Sequence, residues 1–354
     1  MDAAIAALAE QIRAAAESRR PLRICGGGSK DFYGGPLRGE ALDTRECTGI
    51  VSYEPSELVI TARGGTPLAE LEAALAGQGQ MLAFEPPHFG PGATLGGCIA
   101  AGLSGPRRAA AGALRDFVLG VRILDGRGRW LGFGGQVMKN VAGYDVSRLV
   151  AGSLGTLGLI TEASLKVLPR PQQEITLGFE APEARAIEMI NRWAGQPLPI
   201  SATVWHDQRL RVRLSGAASA LRAAIRELGG ETVDAEAAAR YWLGIREQSD
   251  AFFAGDAPLW RLSLPGVAAP LALPGAQLIE WSGALRWLKS GADAAAVRSA
   301  AQQAGGHATL FRGADKSAGT FAPLAPALAR LHREIKAALD PAGILNPGRL
   351  YPDF

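Results

Sequence analysis

Cysteine is scarce: the chain of 354 residues carries only Cys25, Cys47 and Cys98, with no CxxC pair. An iron–sulfur cluster normally takes four thiolates, so the chain should not hold one by itself. Three unpaired cysteines also suit a reducing compartment better than a disulfide-rich exterior. Histidine is equally sparse, and His88, His206, His307 and His332 stand far apart. A metal site needs several ligands together, so none is expected. Long apolar runs are missing, and no stretch reaches the roughly 18 apolar residues of a membrane span. The opening MDAAIAALAEQIRAAAESRR lacks a basic leader followed by an apolar core and reads as an amphipathic helix, not a signal peptide. Net charge is only +3, with no long Lys/Arg run, which argues against nucleic acid. A cytoplasmic protein is the expectation.

What the chain has in quantity is glycine, 45 residues, gathered in three clusters of the first half. These are CGGGSKD (25–31), PGATLGGCIAAGLSG (91–105) and AGSLGTLGLIT (151–161). Glycine lets backbone N–H groups approach a ligand closely, and successive exposed N–H groups form an anion-binding concavity. A pyrophosphate suits such a surface, with a helix N-terminus at Thr94 adding to it. Taken singly, each cluster reads equally as tight turns between strands. Two common nucleotide signatures are absent. A Walker A loop needs GK[ST], but Asp31 follows Lys30; the GxGxxG fingerprint fails at both Gly26-x-Gly28 and Gly132-x-Gly134.

The length corresponds to roughly two domains of about 150 residues. The first half reads as short strands: Leu22 to Cys25, Leu42, Ile50 to Tyr53, Leu58 to Thr61, and Leu159 to Leu168. Helices are expected after Pro67 and from Thr94 to Leu103, and Phe117 to Leu124 with Trp130 to Phe133 forms a hairpin around Asp125-Gly126. Pro169 and Pro171 mark a boundary. Beyond it a βαββα order, Ile175 to Leu228, suggests an antiparallel sheet with helices on one face, and a partial echo runs from Trp260 to Phe311. A last helix is expected over Leu324 to Leu339, before the turn-rich DPAGILNPGRLYPDF. The division expected is residues 1–170 completed by 340–354, with a second domain over 171–339.

Together the clusters resemble the FAD-binding domain of the vanillyl-alcohol oxidase family. Within it, KNVAGYDVSRLVAGSLGTLGLITEASLKVLP (139–169) and DPAGILNPGRL (340–350) are similar to the D-lactate dehydrogenase and glycolate oxidase branch. The resemblance implies an α+β fold: a two-subdomain FAD-binding domain with a small α/β cap. It implies that Gly26, Gly27, Gly28, Ser29 and Lys30 wrap the pyrophosphate of FAD. Pro91, Ala93, Thr94, Gly96 and Gly97 would cover it from a second side, and Gly102, Gly105 and Gly112 would permit close backbone approach. Gly155, Gly158 and Ile160 would border the adenine half and ring edge. Asn346 would lie near the flavin ring, unless it only forms the turn before Pro347.

With a cap short relative to that branch's catalytic flavin subunit, the chain resembles an FAD-binding accessory subunit of a 2-hydroxyacid (glycolate) oxidase complex. Its partners would be a larger FAD-containing catalytic subunit and an iron–sulfur subunit, through which it would meet the inner face of the cell membrane. The alternatives are a self-sufficient FAD-dependent oxidoreductase and a non-redox structural subunit. Departures from the family pattern sharpen the reading. Ser29 stands where covalent members tether flavin through His, so FAD should be held non-covalently. Met138 and Ala142 stand where 2-hydroxyacid-oxidising relatives carry Arg and Thr, so no catalytic residue is assigned. Arg107, Arg108 and Arg115 either supply charge instead or, the favoured reading, face solvent or phosphate. Cys98 reads as a packed small residue. Trp281, Trp287 and Leu285 are either an aromatic interface patch or a buried strand.

Overall fold

The computed structural model of the chain describes residues 2–136, 145–313 and 315–354. Met138 and Ala142 therefore lie outside the described residues. Helix α1 (Ala3–Glu17) forms where Ile5, Leu8, Ala9, Ile12 and Ala15 recur at helical spacing, and Asp2 caps it by accepting from the Ile5 amide at 3.0 Å. This apolar face packs against Leu22, Leu42, Leu159 and Leu345. Strand β1 (Leu22–Cys25) pairs in parallel with β2 (Glu40–Asp43), and Leu22 is also bridged in parallel to Leu345.

Next along the chain come β3 (Ile50–Glu54), β4 (Val59–Arg63), α2 (Leu68–Ala76), β5 (Gln80–Met81) and α3 (Leu95–Ala101). Three short helices, α4 (Arg108–Ala111), α5 (Leu114–Phe117) and α6 (Val146–Leu149), are interleaved with β6 (Val118–Leu124) and β7 (Trp130–Gly134). Then follow β8 (Leu159–Lys166) and β9 (Leu168–Pro169). One antiparallel sheet runs in the order β3-β4-β8-β6-β7. The expected β6–β7 hairpin is present, but its turn is longer than a two-residue Asp-Gly turn. The buried Asp125 carboxylate accepts from the Arg127 and Arg129 amides, both at 2.9 Å, and so organises the whole connection.

The remaining strands, β10 (Gln173–Glu180), β11 (Ile200–His206), β12 (Arg209–Gly216), β13 (Glu231–Thr232), β14 (Leu259–Ser263), β15 (Ala276–Glu280), β16 (Leu285–Lys289) and β17 (His307–Arg312), form one sheet. Its order is β13-β10-β12-β11-β15-β16-β14-β17. Read outward from the β11–β15 seam, the two halves are equivalent, so the echo in the sequence is a structural repeat. Helices α7 (Glu183–Ala194), α8 (Ala218–Leu228) and α10 (Ala294–Gln303) bury their apolar stripes on one face. The opposite face is not bare: α9 (Ala235–Glu247), absent from the sequence reading, places the Trp242 indole 2.9 Å from Thr176 Oγ1, on the side away from Leu177. Helix α11 (Pro326–Leu339) closes the regular structure.

The chain divides into two compact units. The first comprises Met1–Leu103, Ala113–Pro169 and Pro323–Phe354; the second comprises Ser104–Gly112 and Arg170–Ala322. The crossing at Pro169 coincides with the double proline, but two segments change sides relative to the sequence-based division. Residues 104–112 join the second unit, because buried Arg107 pairs with Glu174 and the Gly105 carbonyl accepts from Trp281 Nε1 at 3.0 Å. Residues 323–339 join the first, because Lys336 of α11 donates to the Thr156 and Leu345 carbonyls, each at 2.8 Å.

Candidate cofactor site

In the first unit the glycine clusters meet backbone to backbone. A β-carbon at Gly27 would lie 1.4 Å from the Gly92 carbonyl oxygen, and one at Gly26 would lie 2.5 Å from Thr94 Oγ1. Only glycine permits that approach. Thr94 caps α3, its Oγ1 accepting from the Gly97 amide at 3.3 Å. The resulting cleft is lined by Ile24, Gly26, Gly27, Gly28, Ser29, Lys30, Asp31, Leu37, Thr44, Thr94, Gly96, Gly97, Ala100, Ala101, Leu154, Gly155, Gly158, Ile160, Asn346 and Arg349.

Twelve of the positions singled out from sequence thus come together: Gly26, Gly27, Gly28, Ser29, Lys30, Thr94, Gly96, Gly97, Gly155, Gly158, Ile160 and Asn346. Five are not in the lining. Pro91 is exposed, Ala93 is buried with its carbonyl accepting from Leu68 N at 2.8 Å, and Gly102 turns the chain after α3. Gly105 and Gly112 belong to the segment that packs with the second unit.

Asn346 is a clamp. Its Oδ1 accepts from the Ile24 amide at 2.7 Å and its Nδ2 donates to the Leu154 carbonyl at 2.6 Å. One side chain thereby ties the closing motif to β1 and to the turn before Gly155. Arg349, which the motif analysis passed over, does similar work on the first loop. Its buried guanidinium donates to the carbonyls of Asp31, Tyr33 and Gly35, and its own carbonyl accepts from the Gly35 amide at 2.8 Å. Two conjoined signals could have found it: a motif position, and an arginine beside a glycine loop with several turn carbonyls to satisfy.

The cleft offers positive charge and open backbone donors. Lys30 Nζ lies 3.2 Å from the His88 carbonyl and 5.7 Å from the Phe89 ring centroid. That holds an ammonium beside the loop, and the desolvated Arg349 is a second cation of the lining. Cys98 lies behind the lining, and burial pushes its thiol up to about 12, so it stays protonated and unreactive near neutrality. His88 faces Glu72 at 3.2 Å, His206 meets Phe252 edge-on and His332 lies tilted against Phe354. Among the described residues no group of three or more His, Cys, Asp or Glu could hold a metal.

The alternative cations are engaged elsewhere. Arg107 pairs with Glu174 and Arg108 stacks on Trp281 at 4.3 Å, while Arg115 sits in α5, outside the cleft lining. Burial alone would raise the Glu174 carboxyl, but Arg213, Ser215 and Arg107 outweigh it and hold it below its usual value. Trp281, Trp287 and Leu285 are all buried, which rules out the surface aromatic patch and leaves the core reading. The Trp287 indole is satisfied by Glu280 Oε1 at 2.7 Å. No helix among the described residues is long and apolar enough to cross a membrane.

The chain has relatives among known proteins. Residues 3–134 match the FAD binding domain, and residues 312–350 match the C-terminal domain of FAD linked oxidases. Glycolate oxidase subunit GlcE of Escherichia coli (strain K12) is 52% identical over 98% of this chain and 97% of its own length. Glycolate oxidase subunit GlcD of Bacillus subtilis (strain 168) is 34% identical, but the match covers 36% of this chain and 27% of that protein. The solved structure of alkyldihydroxyacetonephosphate synthase superposes with a TM-score of 0.66 at 16% identity, covering 97% of this chain and 75% of the other, which is likeness of fold. Backbone-lined, cationic and closed by the tail, the cleft fits the pyrophosphate of FAD. The chain belongs to the FAD-linked oxidase family, in the line of glycolate oxidase subunit GlcE.

Proposed function

We propose that this chain is the FAD-binding accessory subunit of a glycolate (2-hydroxyacid) oxidase complex, with FAD held non-covalently. The observation that carries the reading is the single cleft in which the three glycine clusters and the closing motif converge. Bound there, FAD supplies two-electron redox chemistry for converting a 2-hydroxyacid to a 2-oxoacid. The chain's own work is binding. Amides of the 26–29 loop and Lys30 hold the pyrophosphate, the Thr94–Gly97 turn covers it, and Asn346 and Arg349 keep the loops together. Ser29 cannot form the His–flavin bond of covalent relatives.

Electrons must leave by way of partners, because three cysteines cannot supply the four thiolates of a cluster. An iron–sulfur subunit and a larger FAD-containing subunit fill those roles and pass electrons on to quinone. That places the chain in the cytoplasm, at the inner membrane face through its partners. Purifying the chain alone and co-expressed with such neighbours tests the reading. Acid precipitation should leave yellow flavin in the supernatant, and glycolate should bleach the assembled complex but not the isolated chain. Flavin that pellets with the protein would refute the non-covalent site, a colourless chain the flavin reading, and full quinone-linked activity of the lone chain the heteromer.

A further inference from the structure

We infer that Trp260, Arg298 and Thr320 of the second unit form a binding site for a small monovalent anion of chloride size. None of the three lines the glycine-rich cleft, and the inference does not rest on the flavin reading. Three donors carry it. The Trp260 Nε1, the Arg298 Nε and the Thr320 hydroxyl are all enclosed, and none has a hydrogen-bond partner among the described residues. Trp260 and Thr320 are only 3% and 4% exposed. An indole N–H and a guanidinium Nε–H can only donate, so whatever satisfies them must accept. Buried donors left without an acceptor are costly, and several together call for a bound group.

The fold brings the three together. Trp260 lies on β14 opposite Leu310 of β17, the last strand of its sheet. The Leu310 amide donates to the Thr320 carbonyl at 2.8 Å, which ties the 318–321 segment to β17. Arg298 reaches the same segment from α10. Its Nη1 donates to the Ala318 carbonyl and its Nη2 to the Gly319 carbonyl, both at 2.6 Å, with the Phe321 carbonyl 3.4 Å from Nη2. Gly319 and Phe321 flank Thr320, and the Arg298 guanidinium lies 5.8 Å from the Trp260 ring centroid. Indole, guanidinium and hydroxyl are thus neighbours in one corner bounded by α10, β17 and the 318–321 segment.

Charge selects an anion over water. Arg298 has no ion pair among the described residues, and the groups it binds are neutral carbonyls. Burial depresses its ionisation, and no carboxylate opposes that. Asp315, the acid of the adjoining stretch, is exposed and accepts from the Ser317 amide at 2.8 Å. Water would satisfy the three donors but leave the guanidinium without a counter-charge, which an anion against its Nε supplies. One positive charge matches one negative charge, so a doubly charged oxyanion does not suit the site. An occupied site would pin the 318–321 segment just before Ala322, where the second unit ends.

Thermal unfolding of the full-length chain, followed by tryptophan fluorescence, tests the site. Sodium chloride is compared with sodium gluconate, whose anion is too large to enter, at equal ionic strength. The parent's unfolding midpoint should rise with chloride. Thr320→Val keeps the side-chain shape and removes only the hydroxyl. It should raise the chloride concentration for half the effect at least tenfold, and it should not lower the midpoint in gluconate. Trp260→Phe, made separately, should weaken the chloride effect likewise, which covers the case in which one variant folds poorly. Bromide soaked into crystals of the parent should give an anomalous peak beside Arg298 Nε. A midpoint indifferent to chloride overturns the site, and a bromide peak would then be an adventitious ion only. Thr320→Val that lowers the midpoint equally in both salts also overturns it, since the hydroxyl then holds water. So does a variant that is more stable in both salts, since the hydroxyl then binds nothing.

Discussion

Gly27 has no space for a methyl group, since the Gly92 carbonyl oxygen occupies it. Gly27→Ala must push the two loops apart, at the roughly 1–3 kcal/mol of an overpacked site. FAD affinity, measured by titrating the apo-chain, should therefore fall roughly 10- to 100-fold. Gly291→Ala, where no atom lies within 4 Å, should leave it unchanged. Cys98 gives a pH signature. Its thiol is raised from 9.0 to about 12 by burial, so above pH 9 the unfolded chain loses a proton that the folded chain keeps. The stability it contributes is whole below pH 9 and declines toward pH 12, at about 1.4 kcal/mol per pH unit. Urea midpoints of Cys98→Ala should show a shallower decline over that window than the parent, and equal slopes would contradict the assignment. The glycine loops were legible because no other residue tolerates such contacts. Arg349 was not, because an arginine near a polar tail reads as solvated until the carbonyls of Asp31, Tyr33 and Gly35 are seen to converge on it.

At the scale of elements, strands with clean alternation were readable and the outliers have reasons. The β10–β12 half-repeat shows Leu210, Val212 and Leu214 on one face, the period-2 signal of a half-buried strand. Helix α9 escaped because its apolar side is carried by Tyr241, Trp242 and Ile245, next to a helix-weakening Gly244. Its start was nonetheless marked by Asp234, which accepts from Ala237 N at 2.9 Å. Helix α11 is legible in the sequence but its unit is not, because its one buried residue is Lys336, a residue type that usually faces solvent. Lys336 donates to Asp340 at 2.7 Å, and Asp340 accepts from the Leu345 amide at 2.7 Å. Burial depresses the Lys336 ammonium, and Asp340 opposes that. Lys336→Met should leave a buried carboxylate unpaired and cost about 3–5 kcal/mol. Replacing Asp340 by Asn in the same background should recover part of that loss in urea unfolding; no recovery would mean the pair is not coupled.

For the whole molecule, the first unit is stitched from three separated stretches, and Pro323–Phe354 is its last stitch. Removing residues 346–354 deletes both Asn346 and Arg349. It should abolish flavin binding while the second unit's tryptophan core stays folded, as near-ultraviolet circular dichroism would show. Flavin retained at parental content would count against the clamp. The same closure sets an order in time. A ribosome adds roughly 5–20 residues per second, so tens of seconds separate the first glycine loop from the arginine that fastens it. Until then the nascent chain exposes an unfinished cleft, and a chain interrupted anywhere upstream never acquires colour. Flavin capture thus reports that synthesis has passed Arg349.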